Sequence, residues 1–195
     1  SFAVDVAKEK DIITPELKKA GSKLIWIKTP KAEYDLPDYE KLMAVYEKFS
    51  EAVHTGKVLS AYVLDRHGVV PAVSKMAFGN SMGVKLSDEI PAGQLFAPAF
   101  TDIVAEVEAD KIDELGFEYV EIGEVTAEPN FVYGNTVITI KEAVDAWKET
   151  LERVFKTVSG EETGSAVPEV GEEKSSDGKL GEDGLFRASK VYVCE

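Results

Sequence analysis

Residues 56–86, GKVLSAYVLDRHGVVPAVSKMAFGNSMGVKL, decide how this chain is read. Val58 to Leu64 is a short apolar run rich in β-branched and aromatic side chains, which suits a buried strand. The chain then turns through Asp65, Arg66, His67 and Gly68 into a helical pattern whose apolar positions include Val69, Ala72, Val73 and Met76. Gly79 and Asn80 both tolerate the left-handed backbone of a C-cap and are expected to close that helix. Val84 to Leu86 begins another strand. The polar turn therefore lies where the carboxyl end of a strand meets the amino end of a helix. That junction is where α/β folds commonly bind anions or substrates.

Upstream, Lys23 to Lys28 (KLIWIK) is a strand whose consecutive apolar residues imply burial on both faces. A helix starting near Pro37 places Leu42, Tyr46, Phe49 and Val53 on one face and ends at Gly56. Residues 1–22 read as a lead-in segment whose partner lies outside the fragment, with Thr14-Pro15 suited to a helix cap and first helical position. Downstream, Pro91, Gly93 and Pro98 mark a loop, and Ile103 to Val107 (IVAEV) a strand. Ala109 to Leu115 reads as a short helix closed by Gly116, and Tyr119 to Val125 as a strand. A Gly134-Asn135 turn joins Phe131–Tyr133 to Thr136–Ile140 as a hairpin. The last helix, Lys141 to about Phe155, sets Val144, Trp147, Leu151 and Val154 on one face. Trp26 and Trp147 both sit in apolar patterns and are expected in the core. This alternation of strands and helices indicates an α/β sandwich with a mixed sheet, spanning residues 23–156.

Beyond the core the composition changes. Residues 161–184 carry eight acidic side chains against two lysines, with glycine and serine filling much of the rest. Residues 157–190 therefore read as an acidic linker, because so few apolar groups cannot offset the entropy of ordering. Strand character returns at Val191–Val193, as though residues 191–195 opened a further domain.

The net charge of −14 argues against nucleic acid or an acidic membrane as the main partner. A single cysteine, Cys194, excludes a disulfide scaffold within the chain, and no CxxC or His/Cys cluster offers a metal site. No apolar run approaches the roughly 18 residues that span a bilayer. The start of the chain has neither the basic nor the apolar region of a signal peptide, and a reducing cytoplasm fits these features. Neither GxGxxG nor a P-loop occurs. The candidate ligand-binding residues are Asp65, Arg66, His67 and Gly68. Asp65 beside His67 reads either as an acid–base pair or as a histidine that caps the helix or faces solvent. Arg66 reads as a phosphate clamp or a surface salt-bridge partner, and Gly68 as a close approach to a ligand or a tight turn.

The same central stretch resembles a segment in the C-terminal half of phosphoribosylformylglycinamidine synthase. The family pattern runs A-Y-H-D-x-S-D-G-G-L, then E-M-A-F-A-G, then G-V; here Ala61-Tyr62, Met76-Ala77-Phe78 and Gly83-Val84 match it. Thr14-Pro15-Glu16-Leu17, Glu121 to Val125 and Trp147 to Thr150 extend the likeness, collinearly, over about residues 10–155. Where the pattern has S-D-G-G-L this chain has Asp65-Arg66-His67-Gly68-Val69, and Gly68 alone carries over. The resemblance implies a three-layer α/β/α sandwich like the C-terminal domain of aminoimidazole ribonucleotide synthetase, partly ferredoxin-like. It also implies part of a carbon–nitrogen ligase of purine biosynthesis that converts formylglycinamide ribonucleotide to its amidine. ATP, magnesium and glutamine-derived ammonia take part in that reaction. The implied partners are preceding synthetase-like domains and a following glutaminase domain of the same polypeptide. A non-catalytic nucleotide- or phosphate-binding scaffold is the alternative role.

Overall fold

The computed structural model describes residues 12–152 and 154–156, together with Phe2, Val4 and Lys8. The chain divides into two compact units, Ser1–Phe155 and Lys156–Glu195, and the architecture below belongs to the first. The acidic stretch at 157–190 and the strand-like Val191–Val193 lie outside the described residues.

The strands and helices follow the order β1 (Lys23–Ile27), α1 (Tyr39–His54), β2 (Val58–Val63), α2 (Val69–Asn80), β3 (Gly83–Leu86), α3 (Ala92–Leu95), β4 (Ile103–Val107), β5 (Val120–Thr126), β6 (Asn130–Tyr133), β7 (Thr136–Thr139) and α4 (Ile140–Glu152). The strands form one mixed sheet in the order β2-β4-β1-β5-β3-β6-β7, antiparallel throughout except between β3 and β6. Because β4 separates β1 from β2, and β5 separates β1 from β3, the first three strands all run in one direction. Their carboxyl ends, and the loops after them, therefore emerge at the same end of the sheet. That end is where an open α/β sheet presents ligands.

Alternation along the central strands builds the layers. Leu24 and Trp26 of β1, with Val104 of β4, pack with Val69, Val73 and Met76 of α2. Ile25 and Ile27, with Ala105 and Val107, pack with Ala52 of α1 on the opposite face. The central strands are buried on both faces, as the unbroken apolar run KLIWI requires. α1 starts where Asp38 accepts from the Lys41 amide, an N-cap that satisfies one orphan donor.

The structure departs from the sequence reading at several points. The left-handed C-cap of α2 is Ser81 (φ 53°), while Gly79 and Asn80 remain helical. Gly79 is needed for a different reason, since a Cβ there would lie 2.5 Å from Cβ of Glu16. Residues 109–115 form only a 3₁₀ turn, Ile112–Glu114, and a short helix, α3, interrupts the expected loop. Trp147 is 60% exposed rather than in the core. It stacks at the edge of α2 against Phe78, with ring centroids 5.7 Å apart. The described part of the lead-in segment, residues 12–22, finds its partners within this domain. Leu17 is fully buried, its amide bonds to Met76 O, and the Asn80 side chain donates to Leu17 O.

Candidate functional site

The turn after β2 is held by its neighbours on both sides. The Leu64 amide donates to Asp102 O (2.8 Å) and the Ala99 amide to Asp65 O (3.0 Å), so residues 64–68 lie against the 95–102 loop. Gly68 has φ 77°, and a Cβ at this position would meet Ala97 O at 2.5 Å and Leu95 O at 2.8 Å. The main chain of that loop, rather than a ligand, makes the close approach that demands glycine here.

The three polar side chains of the turn form one short network. Oδ1 of Asp65 accepts from the His67 amide (2.7 Å) and faces His67 Nδ1 at 3.0 Å. Arg66 Nε donates to His67 Nε2 (3.2 Å). These bonds assign one tautomer: Nδ1 carries the proton toward Asp65, and the lone pair on Nε2 is taken by Arg66. The His67 main-chain amide, the strongest influence, holds the Asp65 carboxyl below the usual range, with a lesser contribution from the imidazole. All three side chains are at least partly open to solvent. No side chain caps α2 behind them. The first-turn amides of that helix have no intrahelical acceptor, and its dipole favours an anion in front of it. Pro71 supplies no amide, Ala72 is the first residue placed to bond the N-cap carbonyl, and Val69 is fully buried, which leaves Val70 as the partly exposed first-turn residue with a free amide.

Two further polar centres escaped the sequence reading. Asp102 is nearly buried and accepts from Trp26 Nε1 (3.0 Å), the Thr29 amide (2.9 Å) and Thr29 Oγ1 (2.7 Å), with Lys31 Nζ at 3.3 Å. Lys31 also reaches Thr101 Oγ1 (2.7 Å) and Phe100 O. Thr101 takes a left-handed φ of 70°, and its carbonyl accepts from Tyr46 Oη (2.8 Å). Burial, helped by the Asp102 charge, pushes the Tyr46 phenol up. Through the Leu64–Asp102 bond this cluster braces the turn from behind, and the lysine ammonium is saturated by its partners.

Glu106, in the middle of β4, is fully buried. Its Oε2 accepts from the Lys18 amide (2.8 Å) and Ser60 Oγ (2.8 Å), and its Oε1 from the Lys19 amide (2.9 Å) and Ser22 Oγ (2.7 Å). This carboxylate pins the lead-in segment to the sheet. The readable signal for both acids was a charge at or inside the apolar run DIVAEV, where burial demands hydrogen-bond partners.

The sheet order, the two helical layers and the position of the turn define an α/β sandwich with a mixed sheet. Comparison with protein-family models finds no match. Among solved structures the chain is similar to phosphoribosylformylglycinamidine synthase II of Thermotoga maritima (15% identity, TM-score 0.59, 69% of this chain and 28% of that one). It is likewise similar to T. maritima PurL complexed with ATP (16% identity, TM-score 0.58, 70% of this chain and 28% of that one). A third similar structure is T. maritima PurL complexed with FGAR (15% identity, TM-score 0.57, 68% of this chain and 29% of that one). The chain thus spans less than a third of the length of these proteins, and at such identities the shared property is the fold.

Proposed function

We propose that this chain is one domain of an ATP- and glutamine-dependent carbon–nitrogen ligase of the phosphoribosylformylglycinamidine synthase type. In this reading its turn at Asp65 to Gly68 holds an anionic group of the nucleotide substrate. The observation that carries it is the uncapped amino terminus of α2 behind Arg66, at the carboxyl edge of β2. The collinear sequence likeness and the shared fold support it. One PurL structure of that fold is complexed with FGAR and others with ATP, AMPPCP or ADP. Arg66 offers a planar donor fork, and the dipole of α2 with the Val70 amide favours negative charge at its amino end. His67 is occupied on both ring nitrogens, so it positions Arg66 and is not free to act as a base in this arrangement. That favours holding over proton transfer.

Among the described residues no group of three or more His, Cys, Asp or Glu side chains could hold a metal ion. No step at this site runs through the magnesium that accompanies ATP in the implied reaction. ATP binding, the synthetase-like and glutaminase partner domains, the linker at 157–190 and a cytoplasmic location belong to the proposal for the whole enzyme. No helix among the described residues is long and apolar enough to cross a membrane.

The test is made in the full-length protein that contains this chain. Replacing both Arg66 and His67 by alanine is expected to raise KM for formylglycinamide ribonucleotide by about tenfold or more, the loss of charge-assisted hydrogen bonds. Unchanged kinetics would exclude the turn from the site. The isolated 195-residue chain should form no amidine from ATP, ammonia and substrate, and activity there would overturn the reading of the chain as one part of a larger enzyme.

A further inference from the structure

A second hollow adjoins the first turn of α2, between α2, α4, the β6–β7 hairpin and α3, and shares Val70 with it. Its volume is about 270 Å³, and Val70, Leu86, Leu95, Phe131, Ile138 and Ala143 supply most of the wall. No lining side chain is charged, in a chain of which 30% is Asp, Glu, Lys or Arg. The hollow on the other face of the sheet is lined instead by Lys23, Lys85, Glu121 and Glu124.

The few polar groups in the apolar hollow are largely committed elsewhere. Tyr133 Oη donates to Ile90 O (2.8 Å) and Ser74 Oγ to Val70 O (2.9 Å). Water entering this open hollow finds few polar partners on its walls, so a ligand that displaces it gives up few hydrogen bonds. An ion would lose its hydration with no opposite charge to replace it. The rim is apolar as well, since Phe96 and Ile138 are 57% and 45% exposed. Phe131, Tyr133 and Phe96 give the walls aromatic faces and edges suited to an offset or T-shaped ring partner. An apolar cavity of roughly 150 Å³ can hold benzene, which makes this one large enough for two fused rings.

We infer that the hollow between α2, α4 and the β6–β7 hairpin is a binding site for an uncharged, flat, one- or two-ring compound, next to the anion-holding turn but built from other side chains. It does not depend on the ligase reading. None of Asp65, Arg66, His67 and Gly68 lines it.

The experiment titrates 5-fluoroindole into the full 195-residue chain, followed by ¹⁹F NMR. The expected result is a saturable shift at one site per chain. Ala143→Phe, which fills the hollow from α4, should weaken binding about tenfold or abolish it. Ala146→Phe, on the same helix but exposed and outside the lining, should leave it unchanged. Ala92→Phe, at an exposed lining position where folding is not at stake, gives a second filling variant. Indole-3-acetate should bind about tenfold more weakly than indole, because its carboxylate finds no counter-charge. A shift that never saturates would overturn the inference. So would retention of binding by the filling variants, or equal affinity for the anionic analogue. Ligand binding here and anion binding at Arg66 are separable, because Arg66→Ala should leave the indole titration untouched.

Discussion

Glu106 and Asp65 are both carboxylates on or beside neighbouring strands, β4 and β2, yet their surroundings give them opposite work. Glu106 is sealed from water and receives four donors, two on each oxygen, from the lead-in segment and β2. Every lone pair that could meet a ligand is already used for structure. Asp65 sits half open to solvent, and the hydrogen-bond partners of its carboxylate are confined to His67, two residues away. Its network organises three side chains in front of an uncapped helix and contributes little to holding the fold. The contrast teaches that a carboxylate's role follows from the sequence distance and burial of its donors, not from its chemistry alone.

The strongest way to break the comparison is Glu106→Ala. It strands the Lys18 and Lys19 amides and the Ser60 hydroxyl, and is expected to cost about 3 to 5 kcal/mol in urea unfolding. A cost near zero would mean that the lead-in segment is not held by this group. Gly68→Ala should come next, at about 2 to 3 kcal/mol, because a Cβ at φ 77° must also displace the Leu95 and Ala97 carbonyls. Trp147→Ala should cost about 1 kcal/mol. A core tryptophan would cost roughly 3 to 5, so the value discriminates surface edge from interior.

The smallest effect concerns pH. Asp65 should titrate below the usual aspartate range, by NMR of its carboxyl carbon. Because the His67 main-chain amide is the leading cause, His67→Ala should leave most of the lowering in place. The sign follows from linkage: a lowered folded pKa means that the turn's order is favoured above the ordinary aspartate value and is lost as pH falls through the folded one. A return to the ordinary value in His67→Ala would assign the effect to the imidazole instead.

Much of the fold was legible because its signals are local. KLIWI, VLSAYV and IVAEV are short apolar runs bounded by turns, and each became a strand close to its expected limits. The polar turn at 65–68 was also legible as a strand–helix junction. The rest depended on contacts remote in sequence. Gly79 looked like a cap because nothing local shows Glu16 crossing above it. Trp147 looked like core because an amphipathic helix announces its apolar face without saying how much of that face is covered. Glu106 was passed over as one charge in a strand, since its four donors come from residues 46 to 88 positions away. The identity of Asp102 as a brace for the turn required the β4–β2 pairing to be known.

The central claim is that the turn before α2 holds an anion while the buried carboxylates hold the fold. The most direct measurement is an amide chemical-shift titration of the ¹⁵N-labelled chain with formylglycinamide ribonucleotide. The account predicts that the largest shifts fall on Arg66, His67, Val69 and Val70, and that Arg66→Ala removes them while the amides of Lys18 and Lys19 stay still. Absence of shifts in the turn, or shifts that survive Arg66→Ala, would contradict it.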